Sequence, residues 1–179
     1  MRTVKLITGF LMLALMLPAC KKDKTPDSGT VTINNELTGS GPYYAFGFSV
    51  KEGTTVSTLN SPLDVITILG ATDINQVVKR FLFSCENFED SFCKYGDYGD
   101  VATAKAAFDN LKTFTPATWT ATGDSVVSNQ IWLFRTSDTK YAKIRVISTF
   151  SEARSGMPYP YCETKFEWVY QPDGTLIFP

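Results

Sequence analysis

The sequence contains no histidine, and this absence excludes several kinds of active site. Zinc sites with histidine ligands, Ser-His-Asp triads and Cys-His pairs all need an imidazole. Methionine is also scarce, because the chain has four methionines and three of them, Met1, Met12 and Met16, lie close to the N-terminus. In the rest of the sequence there is one methionine, Met157, and no histidine.

The sequence also lacks an excess of charge of either sign. Its 17 Lys and Arg residues nearly balance 18 Asp and Glu residues, and the net charge is −1. Nucleic-acid binding needs a basic surface, so we predict no nucleic-acid partner. No phosphate-binding loop or nucleophile elbow is present, and Gly39-Ser40-Gly41 lacks the third glycine of a dinucleotide fingerprint. We therefore predict that the protein is not an enzyme.

The N-terminal segment has the layout of a secretory signal. Arg2 and Lys5 precede an apolar run over residues 6–17, which is shorter than the roughly 20 residues of a membrane-spanning helix. Leu17-Pro18-Ala19-Cys20 then resembles the lipobox of bacterial lipoproteins, although proline replaces the commoner small residue at position 18. This resemblance implies cleavage before Cys20 and acylation of its thiol, which together anchor the protein to a membrane.

These features divide the chain into three parts. Residues 1–19 form the signal peptide, residues 20–29 a flexible polar tether from lipidated Cys20, and residues 30–179 a single β-rich domain. We expect a lipid-anchored protein of the outer membrane. In bacteria of the Bacteroidota type, an acidic run after the cysteine marks surface lipoproteins. Asp23 is the one acid in residues 21–24, so the periplasmic and cell-surface faces both stay open.

Two patterns near the C-terminus predict antiparallel strands. Residues 126–136 and 140–150 are rich in β-branched and aromatic side chains, and Ser137-Asp138-Thr139 separates them as a turn. A third run alternates strictly, which indicates a sheet with one packed face and one polar face. Its two faces consist of Phe166, Trp168 and Tyr170 on one side and Glu163, Lys165 and Glu167 on the other.

Shorter patterns complete the fold prediction. Strands are expected at residues 42–50, 63–69, 77–84 and 174–178, the last after a Pro172-Asp173-Gly174 turn. A helix is expected over residues 100–112, with Asp100 as its N-cap. The predicted fold class is mostly β, an antiparallel β-sandwich or barrel-like sheet pair with one short helix.

Two segments resemble a known family. The resemblance is to the C-terminal half of HmuY-like lipoproteins of Bacteroidota-type bacteria, at residues 141–145 (YAKIR) and 166–174 (FEWVYQPDG). Residues 129–136 and 43–46 resemble the family more weakly. The resemblance implies a β-rich, outer-membrane-anchored, non-catalytic protein that captures haem for uptake. It also implies a TonB-dependent receptor or another envelope protein as a partner.

The ligand implied by this resemblance needs adjustment. Characterised members of the family hold iron through two histidine or methionine side chains, and here Met157 stands alone once the signal is removed. We therefore expect capture of a hydrophobic or haem-like ligand, with no cofactor certain and haem kept as one candidate. The alternative function is a structural or protein-interaction module of the outer membrane.

The candidate ligand-binding residues are Met157, Tyr159 and Tyr161. They lie in residues 155–162 (SGMPYPYC), between two predicted strands, where two prolines stiffen the loop. Aromatic rings beside a methionine provide an apolar, polarisable surface for a flat ligand. The alternative is a stiff loop whose tyrosines pack on the sheet.

The remaining candidates are cysteines and carboxylates. Cys85 and Cys93 are the favoured disulfide pair in an oxidising compartment, with Cys162 left over or paired with either, and no metal site is predicted. The acidic residues between positions 86 and 100 are interpreted as a solvated loop. Glu163 and Glu167 could serve a hydrolase, but ion pairing with lysine and arginine on the neighbouring strand is favoured.

Overall fold

The computed structural model describes residues 27–37, 45–59, 63–85, 90–115 and 118–179. Within these residues the chain forms ten strands and one helix, and every strand pairing is antiparallel. The predicted signal peptide, Cys20 and the tether up to residue 26 lie outside the described residues, so their predictions are not tested by the fold.

The strands form two five-stranded sheets. Sheet A has the order β1-β10-β9-β8-β6, and sheet B has the order β3-β2-β4-β5-β7. The strands are β1 Ser28–Asn34, β2 Phe46–Ser49, β3 Thr54–Ser57, β4 Val65–Thr72, β5 Val78–Cys85, β6 Phe92–Asp97, β7 Thr122–Asp124, β8 Gln130–Arg135, β9 Tyr141–Glu152 and β10 Tyr161–Gln171; the helix is α1 Val101–Asn110.

The sandwich core forms where the inner faces of the two sheets meet. Phe83 of sheet B lies 5.9 Å from Phe166 and 6.2 Å from Trp132 of sheet A, measured between ring centroids. Phe48 of sheet B contacts Trp168 of sheet A at 4.9 Å. All of these rings are at most 3% exposed. The fold is therefore sandwich-like, and the predicted mostly β class with one short helix is confirmed.

The predicted β8–β9 hairpin is confirmed, although β8 begins at Gln130 rather than at residue 126. Its turn places Thr139 in the left-handed region, with φ of 59°. Strand β10 alternates as predicted, since Phe166, Trp168 and Tyr170 are buried in the sandwich core while Lys165 is exposed. The period of two therefore identifies the inner face of sheet A correctly.

The sequence suggested that the other face of sheet A is a polar surface, but the structure shows that this face is covered. Helix α1 and the C-terminal segment cover it, so β9 is buried on both faces from Tyr141 to Val146. A second apolar cluster forms beneath them, with Phe108 and Leu111 packed against Leu133 and Phe178. The helix is confirmed, and Asp100 caps it by accepting a hydrogen bond of 2.8 Å from the Thr103 backbone N–H.

Two cations of β9 point toward this covered face. Arg145 makes the predicted cross-strand ion pair, with its Nε and Nη2 atoms 3.0 and 2.8 Å from Glu167 Oε2. Lys143 does not pair across the strand. Its ammonium, on a side chain that is 2% exposed, donates to the backbone oxygens of Phe108 and Leu111 at 2.7 and 2.9 Å. The last carbonyls of a helix lack the full set of intrahelical donors, and Lys143 donates to two carbonyls at this end.

Two boundary predictions need correction. The expected closing strand over residues 174–178 is reduced to an isolated bridge between Thr113 and Ile177. The preceding turn is present, with Gly174 at φ of 78°. Ser28 and Gly29, assigned to the tether, instead belong to β1, because they pair with Val169 and Trp168 of β10.

Candidate ligand-binding site

The predicted loop connects β9 to β10 at one end of the long hairpin. Met157 is 39% exposed, whereas Tyr161 lies at the start of β10 and is 9% exposed. Asn35 holds the end of the loop, because its Nδ2 donates to the Pro160 oxygen at 3.0 Å and its Oδ1 accepts from the Cys162 N–H at 2.8 Å. The loop is therefore tied to the end of β1.

Tyr161 is fully engaged by its own surroundings. Its hydroxyl donates to Glu163 Oε2 at 2.6 Å, and the Arg154 guanidinium lies 3.6 Å from its ring centroid. Phe150 packs edge-on against the same ring at 6.3 Å. Burial and the neighbouring carboxylate raise the pKa of Tyr161 to about 12. These contacts favour the interpretation in which this tyrosine packs on the sheet.

The cavity beside Met157 is small. Its volume is about 60 Å³, and its lining includes Arg154, Met157 and Tyr159. The Tyr159 hydroxyl is buried and makes no hydrogen bond with the residues that the structure describes. Enclosed ligand sites usually measure about 300–1,000 Å³, so this loop does not enclose a haem-sized molecule in the conformation observed. It brings Met157 and Tyr159 together but separates them from Tyr161, which faces Glu163.

The predicted Cys85–Cys93 disulfide is not formed, since the structure has both residues as buried thiols. Sheet A separates them. Cys85 at the end of β5 belongs to the sandwich core, whereas Cys93 of β6 points to the cluster under α1. Burial raises the pKa of Cys85 to about 11 and that of Cys162 likewise to about 11, which disfavours the reactive thiolate in both.

The carboxylates considered for hydrolysis also have structural partners. Glu163 accepts the Tyr161 hydroxyl, and Glu167 is held by Arg145. In the acidic segment, Asp100 is the helix cap and Asp97 pairs with Lys94 at 3.1 Å. Over the described stretches of the chain, no group of three or more histidine, cysteine or acidic side chains is arranged to hold a metal ion.

A larger site lies along the side of the sandwich where β1 and β3 are the outermost strands. We call it the edge groove, and it has two lobes of about 340 and 350 Å³. The first lobe lies over Phe48 and Trp168, and the second extends to Phe46, which is 44% exposed. Thr55 lines both lobes and connects them. Among the described residues that line the groove, none in the first lobe is charged, and one in the second lobe is, Glu36.

Two glycines keep the first lobe open. A Cβ atom at Gly29 would lie 3.4 Å from Trp168 Nε1, so a longer side chain there would cover the indole edge. Gly53 lines the same lobe and turns the chain from β2 into β3 with φ of 64°, a conformation that favours glycine. The Trp168 indole N–H therefore lies at the edge of the ring that Gly29 leaves uncovered.

The edge groove was missed from the sequence because neither β1 nor β3 was predicted. Thr30-Val31-Thr32-Ile33 does alternate with period two, and this pattern could have indicated β1. β3 has four residues and no such signal. A strand over residues 42–50 was predicted, and the structure adds that Phe46 of β2 is exposed inside the groove whereas Phe48 is buried.

A second cleft of about 350 Å³ lies between α1 and β10, and its lining includes Asp109, Lys112, Lys143 and Glu167. Burial lowers the pKa of Lys143 to about 8. The Lys143 ammonium already donates to two helix carbonyls, and Lys105 bridges Asp109 and Glu167. Because these side chains already have partners within the protein, we interpret this cleft as the attachment of α1 to the sheet.

Comparison of the chain with protein-family models and with curated proteins gives no match. Among the residues that the structure describes, no helix has both the length and the apolar composition needed to cross a membrane.

Proposed function

We propose that this chain is a non-catalytic binding protein of the cell envelope, anchored to the outer membrane through acyl chains on Cys20. The signal layout and the resemblance to HmuY-like lipoproteins support the anchor and the capture role. We further propose that the ligand lies in the edge groove rather than at Met157. The observation that carries this choice is the size and chemistry of the groove, with two lobes of about 340 and 350 Å³ over Phe48 and Trp168.

The proposed ligand is neutral and hydrophobic over most of its surface. Burying a charge against an uncharged, aromatic floor is costly without a partner, so the first lobe favours apolar groups. The indole N–H of Trp168 can add one directed hydrogen bond to an acceptor on the ligand. Haem stays a candidate ligand because of its hydrophobic porphyrin ring, although this chain supplies no pair of axial ligands for the iron. A TonB-dependent receptor is the proposed recipient of the ligand.

The proposal is tested by titrating the full chain in detergent with haem and, separately, with a neutral hydrophobic fluorophore. Gly29→Leu places a side chain over Trp168, and we expect it to weaken binding tenfold or more. Gly99→Leu is the matched control, because Gly99 lines neither lobe and a Cβ atom there meets nothing within 4 Å.

The outcomes separate the candidate sites. Equal binding by the native chain and both variants would place any ligand outside the edge groove. A Soret change on adding haem that disappears in Met157→Ala, but survives in Gly29→Leu, would move the site to the loop. Absence of any binding at micromolar concentrations of both probes would contradict the capture of hydrophobic ligands.

A further inference from the structure

The edge strands on the two sides of the sandwich differ in their charged residues and in what covers them. On one side, β6 and β7 carry Lys94, Asp97 and Asp124, and a bridge between Phe92 and Thr120 covers part of β6. On the other side, β1 (SGTVTIN) and β3 (TTVS) contain no charged residue and no proline. Edge strands that avoid pairing usually carry charges, prolines or a covering segment, and within the described residues the β1–β3 side has none of these.

The register of β1 defines which backbone groups face outward. The Tyr170 N–H donates to the Asp27 oxygen at 2.7 Å, and the Asn35 N–H donates to the Cys162 oxygen at 3.1 Å. Hydrogen-bonded positions alternate along an antiparallel pair, so Gly29, Val31 and Ile33 bond to β10. Thr30 and Thr32 therefore direct their N–H and C=O groups away from β10. Among the described strands, none pairs with that edge.

The groove beside this edge has the form that an extended chain needs. Its two lobes follow one another along β1, the first beside residues 28–31 and the second beside residues 32–34. Side chains on one face of an extended strand recur about every 7 Å, so alternate residues of an added strand would reach successive lobes. Since the first lobe is uncharged, those residues must be neutral and apolar.

A second copy of this chain, pairing through its own β1, does not meet this requirement. The inward-facing side chains of β1 are already used, because Ile33 is 1% exposed in the sandwich core and Val31 packs against that core. In a pair of β1 strands, each copy would keep these side chains in its own core. The lobes would then stay empty.

We propose that the free edge of β1 accepts an extended segment of another protein as an additional strand. The segment is neutral and carries apolar side chains at alternate positions that enter the edge groove. Main-chain hydrogen bonds to Thr30 and Thr32 provide affinity, and the two lobes provide selectivity, as in other cases of strand addition. This inference rests on the proposed function, because it names the ligand class for the same groove.

The test uses a panel of capped, neutral nine-residue peptides with valine, leucine or phenylalanine at alternate positions. Peptides of the same composition in non-alternating order are the peptide controls. We expect the full chain in detergent to bind alternating peptides selectively. Thr30→Pro combined with Thr32→Pro removes two outward N–H groups while leaving the bonds to β10, and should weaken binding tenfold or more. Retained binding of the hydrophobic fluorophore by the double proline variant shows that its fold and its groove are intact.

The possible results distinguish strand addition from the proposed function. If no alternating peptide binds while the hydrophobic fluorophore still binds in a manner sensitive to Gly29→Leu, strand addition is wrong and the proposed function stands. If neither binds, both proposals fail. Peptide binding that is unaffected by the double proline variant would overturn the assignment to β1. A native dimer that the double proline variant converts to monomers would identify a second copy as the occupant and overturn the proposal of a different partner.

Discussion

At the scale of single residues, Lys143 is the least expected feature of the molecule. The sequence predicted an ion pair with a neighbouring strand and did not predict burial, because the carbonyls that Lys143 binds, at the end of α1, lie 32 and 35 residues earlier in the chain. Its ammonium satisfies two carbonyls at the end of α1 and lies 4.7 Å from the Phe108 ring centroid. A cation at a helix C-terminus also interacts favourably with the helix dipole. Lys143 thus joins the helix to sheet A.

We predict that Lys143→Met lowers the free energy of unfolding at pH 7 by about 1–3 kcal/mol, because the Leu111 carbonyl loses its donor and the Phe108 carbonyl keeps only the 3.3 Å bond from the Leu111 N–H. The native pKa of about 8 lies below the usual 10.5, so between these pH values the unfolded chain binds more protons than the folded chain. The contribution of Lys143 to stability should therefore rise as the pH increases from about 8 to 10.5.

Urea denaturation of both proteins at pH 7 and pH 9.5 measures this difference. The gap between the native protein and Lys143→Met should be wider at pH 9.5, since the variant lacks the titrating group. A gap of the same size at both pH values would contradict the pKa shift, and equal stability at pH 7 would contradict the role of Lys143 in holding α1.

At the scale of elements, the sequence predicted those that carry strong local patterns. Strands β8, β9 and β10 combine alternation with a clear turn, and α1 has a capping aspartate before helically spaced apolar residues. The missed strands are short or rich in serine, threonine and glycine, so their own sequences give no clear strand pattern; these are β1, β3, β6 and β7. They form strands because neighbouring strands provide hydrogen bonds and packing. Both walls of the edge groove belong to this group, so the candidate site could not be found locally.

The cap of α1 gives a prediction for an element as a whole. Asp100 accepts 2.8 Å hydrogen bonds from both the backbone N–H and the hydroxyl of Thr103, and the backbone bond is the main reason that its pKa is lowered. We expect Asp100→Ala to lower the melting temperature by about 2–4 °C, and Asp100→Asn to lower it less, because asparagine keeps an acceptor. Thermal unfolding followed by circular dichroism measures both; equal losses in the two variants would assign the effect to charge rather than to capping.

At the scale of the whole molecule, the two sides of the sandwich differ in how their edges are covered. On the side with β6 and β7, an ion pair and a β-bridge cover the edges. The helix covers the outer face of sheet A. The side with β1 and β3 keeps uncharged edges and an aromatic groove. β1 begins at Ser28, eight residues after Cys20. A tether from Cys20 is then short, and a lipid anchor would hold the edge groove within a few nanometres of the membrane.

The proposed anchor predicts the distribution of the full chain between membrane and soluble fractions. Acyl chains add about 0.8 kcal/mol of membrane affinity per buried methylene, so the native protein should sediment with outer membranes and carry the mass of its acyl groups on Cys20. Cys20→Ala should leave the membrane fraction and lose that added mass. Cys93→Ser is the matched control, because the thiol of Cys93 is buried beneath α1 and should not affect anchoring. Membrane retention of Cys20→Ala would show that another feature holds the chain, and the argument that places the edge groove near a lipid surface would then fail.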